Sequence, residues 1–220
     1  MSFKPYPKYK ESGVEWLGRV PEHWEVQRLK PLLFEVDERI GDRQALLLGL
    51  SKTAGVLPRA DIGQNASESD DYSKYKECHV GDLVMNKMQA WNGVFGLSGH
   101  AGIVSPDYAV FRLHDQRFAV FLTHLFRTEL VAGEFFCRCR GMGTAFLRLN
   151  TGDFLGTKIG LPPASEVPHI TAFLDHETAK IDALIAEQQR LIELLQEKRQ
   201  AVISHAVTKG AIVKCCVREA

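Results

Sequence analysis

From Ser165 to Val207 the chain contains no glycine, and its one proline, Pro168, falls where a first helical turn tolerates it. Along this stretch Ile181, Leu184, Gln188, Leu191, Leu195, Lys198, Val202 and His205 alternate by three and four residues, with Ile185, Ile192 and Leu194 widening the stripe. Strong helix formers fill the rest, as in AEQQRLIELLQEKRQA, and Gly210 stands as a stop. The pattern predicts one long helix with Ser165 as its N-cap. About 40 residues would extend roughly 60 Å. A stripe of that length must be buried on something, and a single small domain offers only about 30–40 Å of surface. A coiled coil therefore accounts for the stripe better than a helix lying across its own domain. Gln188 and Lys198 on the seam are what a constraint on register or orientation looks like.

The preceding part of the chain is mixed. LLLGLS (46–51) reads as a buried strand, and HVGDLVMNKM (79–88) as a turn then a strand. GIVSPDYAVFRL (102–113) reads as a strand, a proline break and an alternating strand with Tyr108, Val110 and Phe111. Residues 118–136, with Val120, Phe121, Leu125, Phe126 and Leu130 at helical spacing, predict a single helix, and 61–71 a loop. The expected fold is α+β: a globular domain over 1–163, a helical arm over 164–208 forming an antiparallel coiled coil, and a tail over 209–220.

Net charge narrows the function classes. Lysine plus arginine number 27, as do aspartate plus glutamate, so the chain is neutral overall, unlike a strongly basic nucleic-acid binder. Ser165 to His205 holds seven acids against four bases, which leaves the remainder with a basic excess of three. Two units with different partners follow from that asymmetry. No apolar run approaches the roughly 18 residues of a spanning helix. Met1 to Lys10 has no signal-peptide core. Five cysteines without framework spacing point to reduced thiols, and the expectation is a cytoplasmic protein with no membrane contact.

Catalytic constellations are missing from the sequence. It contains no phosphate loop, GxGxxG, HExxH or GxSxG. Cys137 and Cys139 lack a second Cys/His pair at zinc spacing, so no metal is expected, and Cys215-Cys216 lies in the expected tail. The polar material suits binding instead. Arg138, Arg140, Arg148 and Lys158 face one acid, Asp153, across their stretch, while Asn86, Lys87, Gln89 and Asn92 gather around Trp91. Such side chains contact phosphates and read base edges, although ordinary solvated loops have the same composition. Lys87, Gln89, Asn92, Arg138, Arg140 and Arg148 are the candidate DNA-binding residues. Ile181, Leu184, Gln188, Leu191, Leu195 and Val202 are the candidate dimer or partner interface.

Three long segments then resemble one family in its own order. YKESGVEWLGRVPEHWEVQRLK (9–30) resembles the start of specificity subunits of type I restriction-modification systems. GDLVMNKMQAWNGVFGLSGHAGIVSPDYAVFR (81–112) is similar to the central strands of their target recognition domain, and 161–210 to the conserved helical spacer. The resemblance implies a non-catalytic subunit that reads one half of a split site in double-stranded DNA and docks methyltransferase (modification) subunits. Restriction subunits join through the complex. Cofactors such as S-adenosylmethionine, ATP and magnesium belong to those partners, and none is expected here. Family members carry two recognition domains and two arms, so a half-size subunit, a truncation or a fragment is expected, working as a homodimer through the arm. Glu166 is followed by Val167 where the family commonly has a Glu-Gln pair. Competing readings are the recognition fragment of a fused restriction-methyltransferase enzyme and a coiled-coil adaptor.

Overall fold

The computed structural model describes residues 5–41, 45–63, 72–141 and 147–210. In chain order the strands before the first helix are β1 (Tyr9–Glu11), β2 (Arg19–Pro21), β3 (Glu25–Arg28), β4 (Leu33–Val36), β5 (Leu48–Ser51) and β6 (Gly55–Pro58). They continue with β7 (Lys76–Cys78), β8 (Leu83–Asn86), β9 (Phe95–Leu97), β10 (Gly102–Val104) and β11 (Tyr108–Leu113). Helices α1 (Ala119–Phe126), α2 (Glu129–Arg138) and α3 (Thr151–Leu155) follow, then β12 (Lys158–Leu161) and α4 (Val167–Lys209). The chain divides into two compact units, Met1–Thr171 and Ala172–Ala220. The fold is α+β, as the sequence predicts, with the long C-terminal helix in place.

The central sheet of the first unit has the antiparallel order β4-β11-β8-β9. β11 lies inside it, with Val110 opposite Val36 on one side and Val84 on the other. Side chains alternate between sheet faces along a strand. Ala109, Phe111 and Leu113 therefore enter the main core together with Leu83 and Met85. Val110 and Val84 enter a second core with Leu48, Leu50, Val56, Cys78, Val94 and Val104, on which Tyr108 packs. Both faces being covered, β11 reads in sequence as a nearly continuous apolar run rather than a clean alternation. The β5–β6 hairpin forms the floor of the second core. It closes on the remaining strands through the bridges Leu47–Ile103 and Val56–Ser98. That approach demands glycine: a methyl group on Gly102 would lie 2.3 Å from the Leu46 carbonyl, and one on Gly96 would lie 2.7 Å from Leu50 Cδ1.

The main core centres on five fully buried rings, Phe95, Phe111, Phe126, Phe135 and Phe154. The single helix expected over 118–136 is two helices, broken at Arg127-Thr128. Thr128 accepts the Val131 amide at 3.4 Å as the N-cap of α2. The break lets α1 present Phe126 and α2 present Phe135 to one cluster, which one straight helix crossing the site could not do equally well. The expected loop over 61–71 is a 3-10 turn at Arg59–Ile62 as far as it is described. Residues 64–71, like Cys215 and Cys216, lie outside the described residues.

α4 begins at Val167, so its N-cap is Glu166 and not Ser165; the Ile170 amide donates to the Glu166 carbonyl at 3.0 Å. The Glu166 carboxylate gathers the N-terminal segment around this helix start. It accepts from Tyr6 Oη at 3.1 Å and Trp24 Nε1 at 3.3 Å, and lies 2.6 Å from His23 Nε2. Burial, then the Glu166 contact, pushes the Tyr6 phenol above its ordinary value. A carboxylate at this end of a helix is also favoured by the helix dipole. Val167 beside it is buried in the main core.

Phe154→Ala should empty the middle of the ring cluster, at a cost of about 3–5 kcal/mol. At about 2–4 °C per kcal/mol for a chain of this size, thermal unfolding of the variant should come roughly 10 °C earlier.

Candidate nucleic-acid interface

A rigid loop follows β8. The Asn86 carbonyl accepts the Gln89 amide at 3.0 Å, and the Asn86 side chain accepts the Met88 amide at 3.0 Å. Trp91 Nε1 donates to the Met88 carbonyl at 2.9 Å, and its ring meets Phe136 of α2 edge-on at 6.0 Å. The loop presents an exposed Gln89 carboxamide that has no partner among the described residues. Lys87 lies at its base, where its carbonyl accepts the Leu149 amide at 2.9 Å. Arg140 and Arg148 exchange two backbone hydrogen bonds of 2.9 Å each, closing the segment between them; residues 142–146 lie outside the described residues. Backbone pairing thus draws Lys87, Arg140 and Arg148 together, with Arg138 at the end of α2 two residues before Arg140.

Each of these four cations is held by an acid. Lys87 lies 3.5 Å from Glu35, Arg140 lies 3.2 Å from Asp153, and Arg148 lies 3.1 Å from Asp107. Arg138 is clasped by Glu134 one helical turn earlier. Glu35 is shared with Lys76, whose side chain is only 5% exposed and also meets Asp37 at 3.3 Å. Burial works against the charge on Asp37, but hydrogen bonds from Arg39 and Lys76 hold its carboxyl below the usual range. A buried ammonium needs such partners, because desolvation disfavours its charged form.

Other cations, which sequence reasoning missed, have no carboxylate partner among the described residues. Lys52 in the β5–β6 turn donates to Asn92 Oδ1 at 2.8 Å. Arg127 donates Nε and Nη2 to the Phe95 carbonyl at 3.1 and 2.8 Å, and burial lowers its pKa. Arg59 follows β6 with its Nε buried and without a partner. It lies near Tyr108, whose phenol burial raises while Arg59 opposes the shift. The only signal for this group in sequence was the turn-like SKTAG at 51–55.

Among the described residues one group could hold a cation: ligand atoms of Glu38, Glu77 and His79 lie within 4.8 Å of one another. Arg112 already occupies that place, with Nη2 at 3.1 Å from His79 Nδ1 and Nη1 at 4.0 Å from Glu38. The same guanidinium donates to the buried Asp82, which raises its own pKa. On α4, Ile181, Leu184, Leu191, Leu195 and Val202 are between 47% and 60% exposed, and Gln188 is exposed on the same helix. Among the described residues no helix is long and apolar enough to cross a membrane.

No family model matches the chain. No curated protein matches it either. Solved structures do. A chain from a structure described as the structural basis of complex assembly and conformational transition of the type I R-M system matches with a TM-score of 0.60 at 18% identity. The match covers 92% of this chain and 49% of that one. The HsdS subunit from Thermoanaerobacter tengcongensis matches with a TM-score of 0.52, again at 18% identity, over 92% of this chain and 48% of that one. The chain therefore has the fold of about half of each protein.

Asp107→Asn would leave the Arg148 guanidinium without its acid. Both groups are about half exposed, with side-chain exposures of 48% and 55%, so stability should change by less than about 0.5 kcal/mol. If Arg148 faces nucleic acid, duplex DNA binding measured by fluorescence anisotropy should tighten at low salt, and the slope of log K against log salt should steepen by up to about 0.9.

Proposed function

We propose that this chain is a non-catalytic DNA-recognition subunit of a type I restriction-modification complex, reading one half of a bipartite target and docking methyltransferase subunits. The fold match to roughly half of an HsdS subunit, over 92% of this chain, is the observation that carries the reading. Three segments of sequence resemblance fall in the same order along the chain, and they include the ordered loop bearing Lys87, Gln89 and Asn92. The protein works with double-stranded DNA, modification subunits and, through the assembled complex, restriction subunits. Cofactor chemistry lies with those partners.

The arm supplies the second recognition domain in this reading. Ile181, Leu184, Leu191, Leu195 and Val202, with Gln188 between them, make a stripe too large to remain in water on a monomer. A second copy docked antiparallel buries it, with residue i of one arm meeting residue j of the other and the reverse. A two-fold dimer of identical recognition domains reads inverted half-sites, so the target is a palindrome interrupted by a gap. The arm then sets the gap and leaves base choice to the first unit.

Leu191→Asp would place a charge on the buried seam and should convert a dimer to a monomer in analytical ultracentrifugation, leaving the first unit folded. The unmutated protein sedimenting as a monomer at micromolar concentration refutes the arm as a self-association device. Methylome sequencing of cells carrying this gene and a cognate modification subunit should show a gapped palindrome; two unrelated half-sites would mean that a different second recognition domain is at work. Mixed with S-adenosylmethionine and DNA alone, the protein should transfer no methyl group.

A further inference from the structure

Contacts between the β5–β6 turn, the loop after β8 and the end of α1 close a ring around Lys52, Asn92 and Arg127. Lys52 Nζ donates to Asn92 Oδ1 at 2.8 Å. Gly93, next in the chain, packs so closely that a methyl group on it would lie 3.2 Å from Arg127 Cα. Gly55 completes the ring from the other side, a methyl group there lying 3.6 Å from Arg127 Nη2. Both glycines have positive φ, 78° and 71°, so the turn and the loop approach the arginine with backbone and no side chain between.

The donors left over are what matters. An ammonium has three N–H donors and Lys52 uses one on Asn92. A guanidinium has five, and Arg127 uses Nε and Nη2 on the Phe95 carbonyl, which fixes its plane and leaves Nη1 unbonded among the described residues. The Asn92 amide group, its oxygen engaged by Lys52, keeps both N–H donors; Lys52 and Asn92 are exposed. The contrast with Lys87, Arg138, Arg140 and Arg148 is electrostatic: each of those has a carboxylate in place, whereas Lys52 and Arg127 have none among the described residues. Two cations and an amide held by neutral acceptors, with no carboxylate on them among the described residues, make a site open to an anion.

We infer that Lys52, Asn92 and Arg127 form a cradle for a phosphodiester of the nucleic-acid backbone, beside the loop that bears Gln89. The inference rests on the DNA-recognition reading for its ligand and adds a contact that positions the duplex and is indifferent to sequence. Arg127 is the fixed member, held by the Phe95 carbonyl in the sheet. Lys52 and Asn92 are the exposed members that reach the phosphate. A contact of this kind weakens binding to all sequences alike when it is removed.

Two measurements on the full-length protein test the cradle. In the first, inorganic pyrophosphate is titrated into isotopically labelled protein, and the backbone amides of Lys52, Asn92 and Gly93 should shift together and saturably. Asn92→Asp is nearly isosteric at an exposed position and supplies Lys52 with the missing carboxylate, so it should abolish that response in a folded protein. In the second, Lys52→Ala should lower the slope of log K against log salt for duplex DNA by about 0.9, equally for target and unrelated sequences. Arg127→Gln is informative if it folds, and the two exposed variants decide the matter if it does not. Shifts confined to another surface, or an unaltered salt slope in Lys52→Ala, overturn the cradle. A chain that responds to pyrophosphate and loses salt slope in Lys52→Ala, yet yields no methylation target with any modification subunit, keeps the cradle and loses the specificity-subunit reading.

Discussion

Five phenylalanine rings close on one another at the middle of the first unit, and β9, β11, α1, α2 and α3 meet through them. Phe111 of β11 lies 4.8 Å from Phe154 of α3, and Phe95 of β9 lies 5.2 Å from Phe126 of α1 and 5.4 Å from Phe135 of α2. Removing large apolar surface from water is the dominant favourable term in folding, and tilted or edge-on rings add a further preference for particular angles. The sheet, the helix pair and the short helix before β12 are therefore fixed relative to one another by a single buried cluster. The loop with Gln89 and the turn with Lys52 inherit their positions from it, one through β8 and the other through the β5–β6 hairpin packed against β9.

Charge is arranged with the same economy. A formally neutral chain cannot draw DNA from a distance by net charge, so any attraction must be local. Most of the basic residues that looked available in sequence are held by carboxylates: Lys87 by Glu35, Arg140 by Asp153, Arg148 by Asp107. Exposed pairs of this kind stabilise a fold by little. They do set a threshold, since a phosphate must displace an acid to reach each cation. Arg127 escapes because its nearest partner is a peptide carbonyl, and Lys52 because its partner is an amide.

The long helix presents the opposite case, a feature that finds nothing to pack on among the described residues of its own unit. Its apolar positions stay about half exposed, as the side chains of an unpaired amphipathic helix must. Burial of those positions requires another chain or another segment, and the proposed antiparallel partner is one arrangement that meets that requirement.

Local rules sufficed for α4, for β5, β8, β10 and β11, and for the α+β class, because heptad spacing, β-branched runs and glycine or proline breaks act within a few residues. The N-cap at Glu166 was not legible, since a glutamate is an unremarkable cap until Tyr6, His23 and Trp24 come to its carboxylate from far along the chain. The break at Arg127-Thr128 was hidden for a similar reason: the spacing of apolar residues runs straight through it, and the Phe95 carbonyl that holds Arg127 belongs to another element. Sequence named Lys87, Gln89 and Asn92 because they share one loop. Lys52 and Arg127 went unnoticed because 40 residues separate Lys52 from Asn92 and only the folded sheet brings them together. Periodicity and turn chemistry are properties of neighbours in the chain, and so the sequence by itself determined the elements and the unsatisfied stripe on the arm. Which cations are neutralised and which remain open depends on distances across the fold, and only the tertiary structure decided that.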